Sequence, residues 1–488
     1  MSDIILQSIM KKAFSLLVSL FLTLTGFSQS CLPEGITFTT QAQIDSFQIN
    51  HPNCTEIEGD VTISGANITN LNGLNVVTHI GGILYVIDNP SLISLSGLEG
   101  LNSSSWLNIQ DNELLTNLLG LQNLDSILGG YIGYNESLTN LSGLDGIISF
   151  EQFFIESNIS LSSLSGFENL TTVGEIWIAG NDALTSLSDL SNLTSANNLL
   201  IGHNDALSNL NGLEGLSSIN GYLRIFANSG LSSLAGLNNL TSIGNFLEIS
   251  SNSSLPDLTG LNNLTTITNN IVINNNDLLT NLDGLNSLHF VGAGVRITDN
   301  DVLNDLTALS SLITIGNGPL EFGSIVYGMP GNASLTSLTG IDNIQAGSIS
   351  DIFIIDNPSL SICEVRSVCE YLVSPSGYVW IENNAIGCNS PGDVEAACGV
   401  GIIDNNTPEP QITINPNPAS TAITISLPST IPVDNTTISI YNVNAQQVLS
   451  RPITEPITVL DIYALPRGMY FARVNDGESV MVGKFVKQ

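Results

Sequence analysis

The sequence predicts a mainly β protein: a right-handed parallel β-solenoid of about 12–13 coils, followed by a small C-terminal β-sandwich. Three observations lead there. First, an asparagine recurs every 23 or 24 residues, at Asn89, Asn112, Asn135, Asn158, Asn181, Asn204, Asn228, Asn252, Asn276 and Asn300, then after longer intervals at Asn332 and Asn357. Leucine stands three residues after all twelve, and again six after, except where Cys363 replaces it. Second, the residues before each asparagine alternate, as in Tyr222-Leu223-Arg224-Ile225-Phe226, which is the period of a strand. Third, the six cysteines flank the repeats, with none between residues 55 and 362. A unit of this length cannot bury its apolar face alone, so neighbouring units must stack.

Taken in order, Lys11 and Lys12 precede an apolar run over 13–24, with small residues at Ser28 and Ser30. This reads as a Sec signal peptide over 1–30, with Met10, directly before Lys11 and Lys12, expected to be the true start. The run is too short to span a bilayer, and no later stretch is long enough. Residues 31–55 form a cap framed by Cys31 and Cys54, and the repeats fill 56–360. A second cap over 361–400 holds Cys363, Cys369, Cys388 and Cys398, whose pairing the sequence leaves open. In that cap Ile362, Val365, Cys369 and Leu372 fall at helical spacing. Asp-Asn-Asn-Thr-Pro-Glu-Pro marks a linker over 401–411. Beyond it, 412–414, 422–427, 437–441, 447–449, 458–462, 468–474 and 480–486 read as seven short strands of a sandwich.

Within a coil the asparagine is expected to point inward at a tight bend and bond backbone groups of the next coil. The interval from Ala308 to Gly340 is longer than a repeat and rich in Gly and Pro, so its extra residues are expected to protrude. Asn-x-Ser/Thr triplets such as Asn169-Leu170-Thr171 and Asn192-Leu193-Thr194 follow from the repeat consensus rather than from glycosylation.

Charge narrows the function. Residues 31–400 contain three arginines and no lysine against 36 acids, all of the chain's 44 except Asp3 and seven after residue 400. Nucleic acid and anionic bilayers need clustered cations, so both are excluded as partners. Catalysis needs converging acids, bases or cations. Arg224 and Arg296 sit three coils apart, roughly 14 Å, and His79 and His289 nine coils apart, about 43 Å. The chain is therefore read as non-enzymatic, with no metal site among its cysteines. Calcium is the one cation the pattern suggests, because Asp88, Asp111, Asp299 and Asp356 precede the asparagines and Asp182, Asp205, Asp277 and Asp301 follow them.

Since Ile sits inward three before each asparagine, alternation turns the residue four before outward. That column holds Tyr85, Asn108, Tyr131, Phe154, Trp177, Leu200, Arg224, Glu248, Val272 and Arg296, then Phe353 and Trp380. Trp106 lies on the same face two residues earlier. Tyr85, Trp106, Tyr131, Phe154, Trp177, Arg224, Arg296, Phe353 and Trp380 are the candidate ligand-binding residues. Neighbouring coils would set Tyr131, Phe154 and Trp177 in a ladder of about 5 Å per step.

The unit Leu-x-Ile-x-x-Asn-x-x-Leu-x-x-Leu-x-Gly-Leu resembles the leucine-rich-repeat superfamily, most closely the receptor L-domain type, over roughly 56–385. It departs from the standard repeat in having Asn-x-x-Leu for Asn-x-Leu. The C-terminal 412–488 resembles the type A sorting domain of the type IX secretion system of Bacteroidetes. Asn415-Pro416-Asn417-Pro418-Ala419, the later Leu465-Pro466-Arg467-Gly468-Met469-Tyr470, and Gly483-Lys484-Phe485-Val486-Lys487 carry that resemblance. It implies Sec export, passage through an outer-membrane translocon that engages 412–488, and release or attachment at the cell surface. An exported protein with such a face is expected to bind a protein or glycan. The alternatives are an envelope spacer without a ligand and, less favoured, a polysaccharide-acting enzyme.

Overall fold

The structure is a computed structural model that describes residues 30–323, 328–399, 412–427, 433, 436–442, 446–475 and 480–488. The signal-peptide reading of 1–30, Ser30 apart, and the linker reading of 401–411 lie outside the described residues. Two compact units divide near residue 401, each with its own apolar core.

The first unit is a parallel β-solenoid. In each coil a strand carries two inward side chains, such as Ile176 and Ile178, and the rest of the turn adds Leu184, Leu187, Leu190, Leu193 and Ala196. All seven are fully buried, and each large one contributes about 1.5–3 kcal/mol by leaving water. Successive strands pair in register, so Leu199 meets Ile176 and Leu223, and Ile201 meets Ile178 and Ile225.

The asparagine column is buried throughout. Asn181 shows its work: Nδ2 donates to the Ile155 carbonyl at 3.0 Å, to the Ala179 carbonyl at 3.1 Å and to Asn204 Oδ1 at 3.4 Å. Its own Oδ1 accepts from the Asn158 N–H at 3.2 Å. One side chain thus ties three coils together through backbone groups that water cannot reach.

Two backbone requirements accompany this bend. The residue before the asparagine is left-handed, with φ of 56° at Tyr134, 54° at Ala227 and 58° at Asp356. That conformation strains a Cβ, which explains why Asp, Asn, Ser and Gly recur there and why β-branched residues do not. Ala227→Gly is accordingly expected to raise stability by about 1 kcal/mol in urea denaturation, and Ala227→Val to lower it. Eight residues after the asparagine comes the second requirement, a glycine with φ near +116° at Gly284, where a Cβ would stand 2.0 Å from the Leu258 carbonyl oxygen. Asp189 and Ala308 hold that place in two coils, and there the chain makes 3-10 turns instead, Ser188–Leu190 and Thr307–Leu309.

A second asparagine column lies on the far side of the coil, where Asn169 Nδ2 donates to the Asp145 carbonyl and Asn192 Nδ2 to the Glu168 carbonyl. These are the first residues of the Asn-x-Ser/Thr triplets, and their amides are spent on the preceding coil.

The solenoid has fifteen rungs, not 12–13. The three extra are Ile36–Phe38 and Val379–Glu382 in the caps and Val61–Ile63 at the start of the repeats, whose coil keeps Leu71 and Gly73-Leu74 but has Gly65 in place of the asparagine; all three pair in register with their neighbours. Below the first rungs, helices α1 (Gln41–Asp45) and α2 (Phe47–Asn50) bury Ile44 and Phe47 against Phe38 and so close the core. Gln41 Oε1 accepts the Thr69 N–H at 2.8 Å, fastening α1 to the next coil. At the other end α3 (Arg366–Val373) begins after Val365, leaving Ile362 exposed before it, and α4 (Pro391–Cys398), which sequence reasoning missed, follows. The disulfides are Cys31–Cys54, Cys363–Cys388 and Cys369–Cys398.

The extra residues of the long interval fall between one rung and the next bend. Gly318–Phe322 is itself a rung, and the chain returns at Pro330 and Gly331, whose carbonyls accept the Asp299 N–H. Residues 324–327 lie outside the described residues.

The second unit has two antiparallel sheets. Thr413–Asn415, Ala422–Ser426 and Ile457–Asp461 form one, in that order. The other is ordered Gln447–Pro452, Thr437–Asn442, Gly468–Asn475 and Val480–Lys487. Ile423, Ile425 and Leu460 of the first share one core with Ile438, Ile440, Tyr470 and Phe485 of the second.

Candidate ligand face and export tail

The outward column runs in register across the solenoid sheet: Tyr85, Asn108, Tyr131, Phe154, Trp177, Leu200, Arg224, Glu248, Val272, Arg296, Glu321, Phe353 and Trp380 are successive neighbours. The aromatic members are half-buried and outside the coil, and Trp380 on the last rung is exposed.

Their packing is not a stack of parallel rings. Phe154 and Trp177 meet edge to face with centroids 5.4 Å apart. The Trp106 ring lies over Gly129, where a Cβ would approach it to 2.5 Å, and the Tyr131 ring lies over Gly133 in the same manner. Phe226 covers Gly202 likewise. Tyr131 is hydrogen-bonded to Glu156, and burial followed by that carboxylate pushes its phenol well above the usual range.

A polar-aromatic network extends the column sideways. Trp177 Nε1 donates to Glu175 Oε1 at 2.8 Å and to the Tyr222 hydroxyl at 3.2 Å. Tyr222 donates to the same Glu175 oxygen, and Gln152 Nε2 donates to Glu175 Oε2 at 3.0 Å. Burial opposes ionisation of Glu175, yet these three donors outweigh it and hold the carboxyl below its usual range. Burial and the bond to Glu175 push Tyr222 up to about 12. Phe246 stacks on Tyr222, centroids 5.1 Å apart and 13° from parallel. Glu175, Tyr222 and Phe246 were missed, although the step two residues back that places Trp106 on the face finds all three when repeated along the column.

The two arginines of the column are not free cations. Arg224 Nε contacts Glu248 at 2.8 Å and its guanidinium lies 5.3 Å from the Phe226 centroid. Arg296 Nε contacts Glu321 at 2.5 Å. Phe353 and Trp380 stand beyond this ion-paired stretch, apart from the aromatic cluster.

On the turn edge, Asp88, Asp111, Glu113 and Glu136 line a depression of about 680 Å³ with Tyr134. Burial, with Asp88 nearby, raises the Asp111 carboxyl. Calcium needs six to eight oxygens. Among the described residues no three His, Cys, Asp or Glu side chains group as a metal site. No described helix is long and apolar enough to cross a membrane.

In the tail, the three sequence-distant motifs converge on the last strand. Asn417 Nδ2 donates to the Lys484 carbonyl at 3.0 Å, and its Oδ1 accepts the Val486 N–H at 2.9 Å. Gly468, Met469 and Tyr470 pair with Lys487, Val486 and Phe485. The Tyr470 and Phe485 rings stack at 5.6 Å, and the Tyr470 hydroxyl donates to the Pro466 carbonyl at 2.9 Å. Asn415 ends the first strand of the unit, and Pro416 and Pro418 flank Asn417.

No curated protein matches the chain. Residues 413–488 match the family described as the secretion system C-terminal sorting domain. The tail is therefore a type IX secretion sorting domain, and the chain that carries it is an exported protein, secreted or held at the cell surface.

Proposed function

We propose that the exported solenoid is a surface binding and adhesion protein of the leucine-rich-repeat, receptor L-domain-like kind, from a member of the Bacteroidetes, sent through the inner membrane by a Sec signal peptide over 1–30. It recognises a protein or glycan through the outward sheet face. The observation that supports this most is the Phe154, Trp177, Glu175, Tyr222 and Phe246 cluster. Trp177 and Tyr222, held by one carboxylate that already accepts three hydrogen bonds, lose little side-chain entropy on binding, and the apolar faces of the cluster suit sugar rings or a partner's apolar patch. We assign the chain no catalysis: Glu175 already accepts three hydrogen bonds, and both arginines of the face are ion-paired.

A second reading, an envelope spacer without a ligand, draws support from the rings that lie over Gly129, Gly133 and Gly202, because they shield the backbone of the sheet. The two readings part at Tyr131→Ala, Phe154→Ala and Trp177→Ala combined. On the binding reading this variant keeps its melting transition and loses adherence to glycan arrays or to captured cell-surface proteins by at least about tenfold. Adherence equal to that of the parent would leave the spacer.

A further inference from the structure

The tail's motif residues divide by direction. Tyr470 and Phe485 point into the core, and Asn417 is consumed in binding the last strand. Lys484 and Val486 alternate with Phe485 and point outward. Across the strand pair they meet Phe471 and Met469, and Arg473 continues the same face. Met469, Phe471 and Val486 are 44%, 37% and 38% exposed. Tyr441, opposite Phe471 on the next strand, extends the strip. The described outward residues of these strands include two cations and no carboxylate.

The edge of the last strand is a poor alternative for recognition. Ala419 donates its N–H to the Val486 carbonyl and accepts the Gln488 N–H, both at 2.8 Å, and Asn417 caps the Val486 N–H. From Lys484 to Gln488 the backbone groups of that edge are occupied, so strand addition by a partner is blocked along that half, and the face is the surface left beside it.

We propose that the export machinery reads this face: an apolar strip of Met469, Phe471 and Val486 flanked by Arg473 and Lys484, docking on an apolar partner surface rimmed by carboxylates. Charge supports that partner. In residues 412–488 five basic residues, Arg451, Arg467, Arg473, Lys484 and Lys487, balance five acids, while residues 31–400 carry three arginines against 36 acids. A carboxylate-rimmed receptor would thus repel the cargo but not the tail, and would attract the two cations of this face.

The test uses the full chain in its producing cell. Arg473→Glu with Lys484→Glu changes only exposed side chains, and is expected to cut the exported fraction about tenfold, as is Phe471→Ser. Ile457→Ser with Val459→Ser alters exposed apolar residues of the other sheet and should leave export at the parental level. Lys484→Arg should also export normally. Purified variants are checked for an unchanged melting transition of the tail. Parental export of the double glutamate variant, or equal loss in the opposite-sheet variant, overturns the proposal. The sorting assignment itself stands or falls separately, on deletion of the whole tail.

Discussion

Replacing Asn181 by leucine is expected to destabilise the solenoid by about 3 kcal/mol or more, although the side chain is apolar and of similar size. The Asn158 N–H loses its acceptor and the Ile155 carbonyl loses a donor, both where the asparagine column is fully buried. Since Asn181 lies mid-array and each coil is coupled only to its neighbours, the melt should split into two transitions. Asn181→Asp should be milder in acid. Burial raises its folded pKa above the unfolded value of about 3.9, so its stability is present below that value and is lost as pH rises through the folded pKa. A single parental melt for Asn181→Leu would mean that the column is ornamental. Circular dichroism against temperature and pH decides it.

Deleting residues 412–488 is expected to abolish export while leaving a folded solenoid inside the cell envelope. The tail has its own core, and no tail residue belongs to the solenoid's. Fractionation of cells making the truncated chain, with protease resistance as the test of folding, measures both halves of that statement. Normal appearance of the truncated chain outside the cell would remove the sorting assignment.

How much of this could be read beforehand follows from which forces leave periodic marks. The asparagine and leucine columns repeat because every interior coil solves the same burial problem, so strand position, inward face and outward face were legible. The caps solve a different problem. Phe38, Ile44 and Phe47 close the core from one side only, and disulfides share the task, so the asparagine that sets the count is absent from the first two rungs, even where Leu71 and Leu74 follow, and the coil count fell short. Cysteine pairing depends on proximity that spacing does not reveal. The left-handed residue before each asparagine tolerates Asp, Tyr, His and Ala alike, so its constraint shows only as missing β-branched residues, a faint signal.

The face was legible in one column, and in the next only at Trp106. Arg224 and Glu248, 24 residues apart and one coil apart, stood side by side in the outward column, so their ion pair was foreseeable from register alone. The link from Glu175 to Tyr222 was not, because it skips a coil: Asn198 stands between them in sequence order, and only long side chains reach across. Leu200, 1% exposed beside Trp177, shows the same effect, since an outward position can be buried by its larger neighbours.

The stapled ends of the array have a kinetic consequence. A stack of coils with loose ends is lost by unzipping, one terminal coil after another, each step releasing only one neighbour. Here Cys31–Cys54 holds the first turn to the second, and Cys363–Cys388 with Cys369–Cys398 holds the last. Loss must then begin in the interior, where a coil has to break with both neighbours at once. The barrier to opening is then that of an interior break, and outside the cell, where proteases cut what has opened, lifetime is set by that barrier.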